Sequence, residues 1–202
     1  MSYVLGFFAA DGCMIKNNRG AHFIEFHITD KDLLEKIKIA MKSNHKISVR
    51  KRGDWKVSYR LQIGSKEMFK DLVSQGMIPR KTLDLKLPKV PNEVLCDFVR
   101  GYFDGDGNVF VIKRKDRKTG RLTIQTHFTC GNREFLKNLQ ERLKLVAGLR
   151  GGSLYSKENA SRLKFSIYDS IKLYNFMYGK ESDLFLSRKK EKFLRYINSL
   201  GP

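Results

Sequence analysis

Asp11 and Asp106 are the residues with the most chemical promise in this sequence. Each precedes a glycine at the end of a short motif. The motifs are Val4-Leu5-Gly6-Phe7-Phe8-Ala9-Ala10-Asp11-Gly12 and Val99-Arg100-Gly101-Tyr102-Phe103-Asp104-Gly105-Asp106-Gly107. Residues 4–10 are apolar on all sides, so they read as a helix buried all round. Small residues recur at i, i+4, Gly6 with Ala10 and Gly101 with Gly105, which lets two helices approach closely. If the motif helices pair, both carboxylates meet at helix C-termini that already carry partial negative charge. Carboxylates so placed repel and need a cation. A hard divalent ion such as Mg²⁺ takes oxygen ligands from carboxylates, backbone carbonyls, water and phosphate. Two such ions can activate a water and stabilise the leaving oxygen of a phosphodiester. One Asp-Gly alone would merely end a helix. Two in register, with glycines and aromatics matched, point to a paired site.

The elements that position these acids are also duplicated. Beyond the motifs, residues 24–29 match 124–129, 60–63 match 162–165, and 80–81 match 188–189, in the same order. Two copies of one fold, 1–82 and 99–202, are expected, joined by a linker at 83–98 that contains Pro88 and Pro91. Each copy reads as α-β-β-α-β-β-α. The strand pairs are 13–17 with 22–29 and 46–52 with 56–63, then 109–115 with 121–129 and 150–156 with 161–167. Helices follow at 31–42, 66–75, 132–146 and 169–178. The result is an α+β protein with two small antiparallel sheets.

Strand alternation separates two faces of each sheet. Ile24, Phe26 and Ile28 point inward, with Tyr59, Leu61 and Ile63. Ile124 and Phe128 do the same, with Leu163, Phe165 and Ile167. The outward face carries Glu25, His27, Thr29, Ser58, Arg60 and Gln62 in the first copy. In the second it carries Gln125, His127, Thr129, Arg162, Lys164 and Ser166. Lys46, Ser48, Arg50 and Arg52 share a face as well. Such side chains bond to base edges and phosphates, and a β-ribbon fits the major groove. Lys113, Arg114, Lys115, Arg117, Lys118 and Arg121 make a basic hairpin suited either to a solvated surface or to a phosphate clamp. The histidines lack partners spaced for zinc and read as polar residues of this face. Trp55 could stack on a base, but reads first as a residue packed at a sheet edge.

The overall charge agrees with a polyanionic partner. The 202 residues carry 40 Lys+Arg against 21 Asp+Glu, a net +19, and the pI is near 9.9. Residues 1–98 hold net +7 and residues 99–202 net +12, so both copies would face the polyanion. Hydrophobic residues make up 41%, enough to bury a core and so to exclude a disordered basic tail. No apolar run approaches the ~18 residues of a membrane span, and no helix joins a basic face to a broad apolar one. Cys13, Cys96 and Cys130 are odd in number and not closely spaced, which fits a reducing intracellular setting.

The two nonapeptides resemble the LAGLIDADG motif, and nearly the whole chain is similar to single-chain, two-motif LAGLIDADG homing endonucleases. The resemblance implies two saddle-like four-stranded sheets clasping double-stranded DNA, with the motif helices as their interface. It implies that Asp11 and Asp106 bind divalent metal with the carbonyls of Ala10 and Gly105. It implies that Lys81 and Lys189 assist the site, that Mn²⁺ replaces Mg²⁺, and that Ca²⁺ supports binding with little cleavage. Each strand would be cut once by a monomer, leaving 3′ overhangs, in the homing of an intron or intein. The same family includes maturases that bind intron RNA, and regulators that bind DNA without cutting it. Three departures stand out. Ala9 replaces the earlier motif acid kept as Asp104. Asp30 follows Thr29 and Cys130 follows Thr129, where a polar residue such as Gln is common. The chain begins almost at the first motif, as though an N-terminal extension had been trimmed.

Overall fold

A computed structural model describes residues 1–51, 57–79, 84–113, 122–157 and 160–201. The first repeat runs α1 (Ser2–Asp11), β1 (Gly12–Lys16), β2 (His22–Ile28), α2 (Lys31–Ala40), β3 (Ile47–Arg50), β4 (Ser58–Gly64) and α3 (Lys66–Ser74). A 3-10 turn at Asn92–Val94 leads into the second repeat. There α4 (Leu95–Asp106), β5 (Gly107–Lys113), β6 (Leu122–Cys130), α5 (Arg133–Ala147), β7 (Ser153–Lys157), β8 (Ala160–Phe165) and α6 (Ile167–Tyr178) repeat the order. A last helix, α7 (Ser187–Asn198), follows. The helix of the second motif therefore starts at Leu95, inside the span read as linker. The four-stranded sheets have the orders β1-β2-β4-β3 and β5-β6-β8-β7, with antiparallel pairs throughout.

Local sequence explains the turns and caps. Asn17 accepts from the backbone N–H of Arg19 (3.0 Å) and Ala21 (2.8 Å), and Gly20 takes φ +78°, which closes the first hairpin. Ser65 caps α3 by accepting from Met68 N–H, and Asn132 caps α5 by accepting from Glu134 N–H. Leu33, Leu34 and Ile37 turn α2 toward its sheet, and Phe135, Leu136, Leu139 and Leu143 do so for α5.

The helices α1 and α4 lie against each other at the centre. A methyl group on Gly6 would fall on the Phe98 carbonyl oxygen, and one on Gly101 on the Tyr3 carbonyl oxygen. A methyl on Gly105 would collide with the Ala10 side chain. Since Gly6 matches Gly101 and Tyr3 matches Phe98, the contact is reciprocal, as a pseudo-two-fold axis requires. The small residues are what allow the two backbones to touch.

The register corrects one sequence match. Gly12 pairs with Phe26, and Gly107 pairs with Phe128. Phe8 meets Phe26 edge-on at 5.4 Å, and Phe103 meets Phe128 edge-on at 5.3 Å. Phe26 is thus the counterpart of Phe128, not of residue 126. Glu25 then matches His127, and His27 matches Thr129. The shift is two residues, so the faces are unchanged, and the apparent pairing of His27 with His127 is not a structural equivalence. The second copy also places Thr126 inward, fully buried, where its hydroxyl lies 3.0 Å from that of Ser170.

Candidate active site and nucleic-acid interface

Both motif helices end where a strand begins without a connecting loop. Gly12 (φ −76°, ψ 151°) and Gly107 (φ −86°, ψ 161°) are extended. Glycine is needed there for space rather than for conformation. A methyl at Gly12 would strike the Phe8 ring, and one at Gly107 the Phe103 ring. Asp11 and Asp106 are therefore the last helical residues before the chain turns into the sheets. Asp11 is pressed toward the other repeat: a β-carbon at Gly105 would lie 3.3 Å from Asp11 Oδ2. A cavity of about 330 Å³ opens here, lined by Asp11, His27, Thr29, Asp30, Ser58, Asp104, Gly105 and Arg188, among others.

Burial raises the Tyr102 phenol well above its usual range. Cys130 adds to this, as do the negative charges of Asp106 and Asp11. Tyr102 donates to the Thr129 carbonyl (2.8 Å), tying the motif helix to β6. Cys130 itself faces the core, so it does not line the solvent around the acids. Asp30 instead lines the cavity and pairs with Arg188 at 3.5 Å.

Lys189 is buried at the end of α4. Its ammonium donates toward the carbonyls of Phe103 (2.7 Å), Asp104 (2.7 Å), Gly105 (3.2 Å) and Gly107 (2.6 Å). Three N–H bonds serve four acceptors, and the cation sits where the helix dipole is negative. Burial pulls its pKa down to about 8, against the pull of the Asp104 carboxylate in the other direction. One of these carbonyls, Gly105, is among the candidate metal ligands. Asp104 lies beside it: Oδ2 accepts from Tyr3 O–H (2.7 Å) across the helix interface and from Leu186 N–H (2.8 Å). Burial pushes its carboxyl up to about 6, despite the Tyr3 and Leu186 hydrogen bonds that lower it. At the mirrored place stand Phe98 and Ala9. The Tyr–Asp bond is replaced there by two apolar residues, which accounts for the missing acid of the first motif.

Among the described residues, no cluster of three or more His, Cys, Asp and Glu forms a metal cage. The donors at the helix ends are two carboxylates and the carbonyls of Ala10 and Gly105. These are hard oxygen donors and too few to saturate an ion, so water and phosphate oxygens would complete the shell. That composition fits Mg²⁺ or another hard divalent cation.

The outward faces flank this centre. On the first sheet, Glu25 Oε1 accepts from Gln62 (2.5 Å) and Arg60 (3.3 Å), which offsets its charge. His27 lies 2.8 Å from the Ser58 hydroxyl, and the register sets Ser48 beside Arg60 and Arg50 beside Ser58. On the second sheet, His127 lies between Asn108 and Lys164, and Thr129 beside Arg162. Burial lowers the proton affinity of His127, and Lys164 and Arg162 lower it further. Gln125 faces outward beside Phe110.

Several expected residues sit elsewhere. Lys113 pairs with Leu122, which puts it on the face of Val109 and Val111 rather than with His127. Ser166 has left the sheet to become the N-cap of α6, and Ile167 is exposed in the first turn of that helix instead of buried. Lys46 precedes β3 and is exposed. Lys81, Arg52, Lys115, Trp55 and the rest of the basic hairpin lie outside the described residues. The sequence reading missed Cys13, Ile15, Asn108, Phe110, Ile112 and Tyr155, which share the outward faces by register. Their signal was the alternation within β1, β5 and β7, whose faces were not separated.

A family model described as a LAGLIDADG-like domain matches residues 1–75 and 93–177. The chain belongs to the LAGLIDADG-like family. Its fold is similar to that of the LAGLIDADG meganuclease I-AabMI, solved bound to uncleaved DNA. The TM-score is 0.64 at 17% identity, covering 97% of this chain and 88% of that one. The homing endonuclease I-WcaI, bound to its DNA recognition sequence, gives 0.66 at 17% identity, with 95% and 84% covered. I-SmaMI, bound to an uncleaved DNA target in the presence of calcium ions, gives 0.63 at 15% identity, with 98% and 90% covered. Among curated proteins no sequence matches. This LAGLIDADG chain carries both motifs in one polypeptide, so one molecule supplies both motif helices.

Proposed function

We propose that this LAGLIDADG chain is a site-specific endonuclease of double-stranded DNA. The observation that carries the reading is Asp11 and Asp106 ending two helices in contact, between two outward-facing polar sheets of a strongly basic protein. Duplex DNA would lie along both sheets, with its central phosphates over the helix ends. Arg60, Arg162, Lys164 and Arg50 would hold phosphates and base edges. A divalent ion held by Asp11, Asp106 and the carbonyls of Ala10 and Gly105 would supply Lewis acidity and a water of lowered pKa. Lys189 keeps the end of α4 fixed and neutralises its carbonyls, so that Asp106 and the Gly105 carbonyl are held in place. Thr29, Asp30 and Arg188 border the cavity where a water would be ordered. Each acid serves one strand, and a monomer suffices. Cleavage of both strands with 3′ overhangs, in the homing of an intron or intein, is the finer reading we attach to this site.

The test is selection of duplexes from a random pool in Ca²⁺, followed by Mg²⁺ and sequencing of the ends. One long enriched site, cut on both strands, is expected. Asp11→Asn or Asp106→Asn should reduce cleavage at least a hundredfold while binding persists. Undiminished cutting by both variants would remove these acids from the mechanism. Binding without any cut would favour a maturase or regulator, with intron RNA as the next probe.

A further inference from the structure

The outward face of the second sheet is not uniformly polar. Phe110 is 39% exposed and Ile112 is 48% exposed, at successive outward positions of β5. The register places Phe110 beside Gln125 and Ile112 beside Thr123, on the face that also holds Arg162 and Lys164. The Phe110 ring is 5.0 Å from the His127 ring. In the first repeat, counting outward from Gly12 as from Gly107, the counterpart of Phe110 is Ile15, half-buried and again apolar. Leaving such groups partly in water forgoes free energy that full burial would recover. They interrupt a face whose other large members are cations, amides, hydroxyls, the His127 imidazole and the Tyr155 phenol, so a surface that covers them would be polyanionic with apolar points set into it. A DNA major groove has that character at one chemical group, the 5-methyl of thymine.

Resting on the DNA-cleaving reading above, we infer that Phe110 and Ile112 read thymine methyl groups in the half-site under the second sheet, with Ile15 doing so under the first. Same-face residues of a strand are about 7 Å apart, close to two base-pair steps. Phe110 and Ile112 therefore address pairs about two steps apart, and Asn108 addresses one nearer the cut. Asn108 and Cys13, the counterparts closest to the acids, differ in polarity, so the two half-sites diverge there and agree at the next outward position.

The test uses the duplex selected from the random pool. Each thymine in the pairs under β5 is replaced singly by deoxyuridine, which removes the methyl and leaves base pairing intact. Binding is measured in Ca²⁺. The wild type should lose about fourfold in affinity for each contacted methyl, the worth of one buried carbon. Phe110→Ala should bind thymine and uracil versions of its pair equally, and Ile112→Ala should do so at the pair about two steps further out. Phe110→Leu should keep part of the preference. A selected site without thymine at those pairs, or a wild type indifferent to every replacement, would overturn the inference and leave the endonuclease reading standing. So would a DNA-free dimer in sedimentation that Phe110→Ala disperses, since the patch would then cover a second copy. A pool with no enriched duplex would remove the endonuclease reading and this inference together.

Discussion

At the scale of single residues, two buried charges set how the site responds to solution conditions. Asp104 rises from 3.8 to about 6 because it is desolvated. Below pH ~4 it is protonated in both folded and unfolded chains. As pH rises toward 6 the unfolded chain releases the proton first, so this group's stabilising contribution is lost over that window and stays lost above it. The loss is on the order of 3 kcal/mol, from about two pKa units at 1.36 kcal/mol each. The difference in unfolding free energy between wild type and Asp104→Asn should therefore change between pH 4 and 6 and level off above. A flat difference in urea titrations would contradict it. Lys189 behaves otherwise: its removal strips a donor from four carbonyls. Lys189→Met should cost roughly 2–3 kcal/mol in urea unfolding, with cleavage reduced and site binding retained.

At the scale of elements, the contact between α1 and α4 has no slack. Alanine is a better helix former than glycine by about 1 kcal/mol. Gly101→Ala should nevertheless destabilise the chain by roughly 3 kcal/mol or more, because the methyl meets backbone rather than a movable side chain. Thermal or urea unfolding measures this directly, and a stabilised Gly101→Ala would refute the packing. This helix pair was legible in the sequence because duplication, small-residue spacing and all-round apolarity each pointed to it. The strand faces were legible in β2, β4, β6 and β8, where alternation is regular. The register was not. Ile24 aligned with Ile124 by residue type, whereas the phenylalanines under the motif helices set the pairing two residues away. The roles of Ser166 and Ile167 were also hidden, since a strand that runs straight into a helix leaves no break in the pattern. Nor could sequence disclose that Lys189 grips carbonyls, because the partners are backbone atoms some 80 residues distant.

At the scale of the whole molecule, the two saddles carry unequal charge. Arg60 shares the carboxylate of Glu25, while its counterpart Arg162 has His127 at the equivalent place. DNA binding should weaken with salt at a log–log slope of about −0.9 per phosphate contact. Arg162→Ala should reduce that slope by about one such contact, and Arg60→Ala by less, as read from fluorescence anisotropy across salt concentrations. Equal effects would show that Glu25 does not compete with phosphate. The reciprocal glycine contacts have a consequence at this scale too. Two backbones resting directly on each other cannot come closer, and no side chain lies between them at these glycines whose repacking would reset their spacing. The spacing of the two helix ends that carry Asp11 and Asp106 is then set by backbone contact, like the marks on a ruler. If the chain cuts both strands as proposed, exchanging side chains on the two sheets would change which duplex is bound, but the stagger between the cuts would stay as it was. Lengthening that stagger would require rebuilding α1 and α4 together.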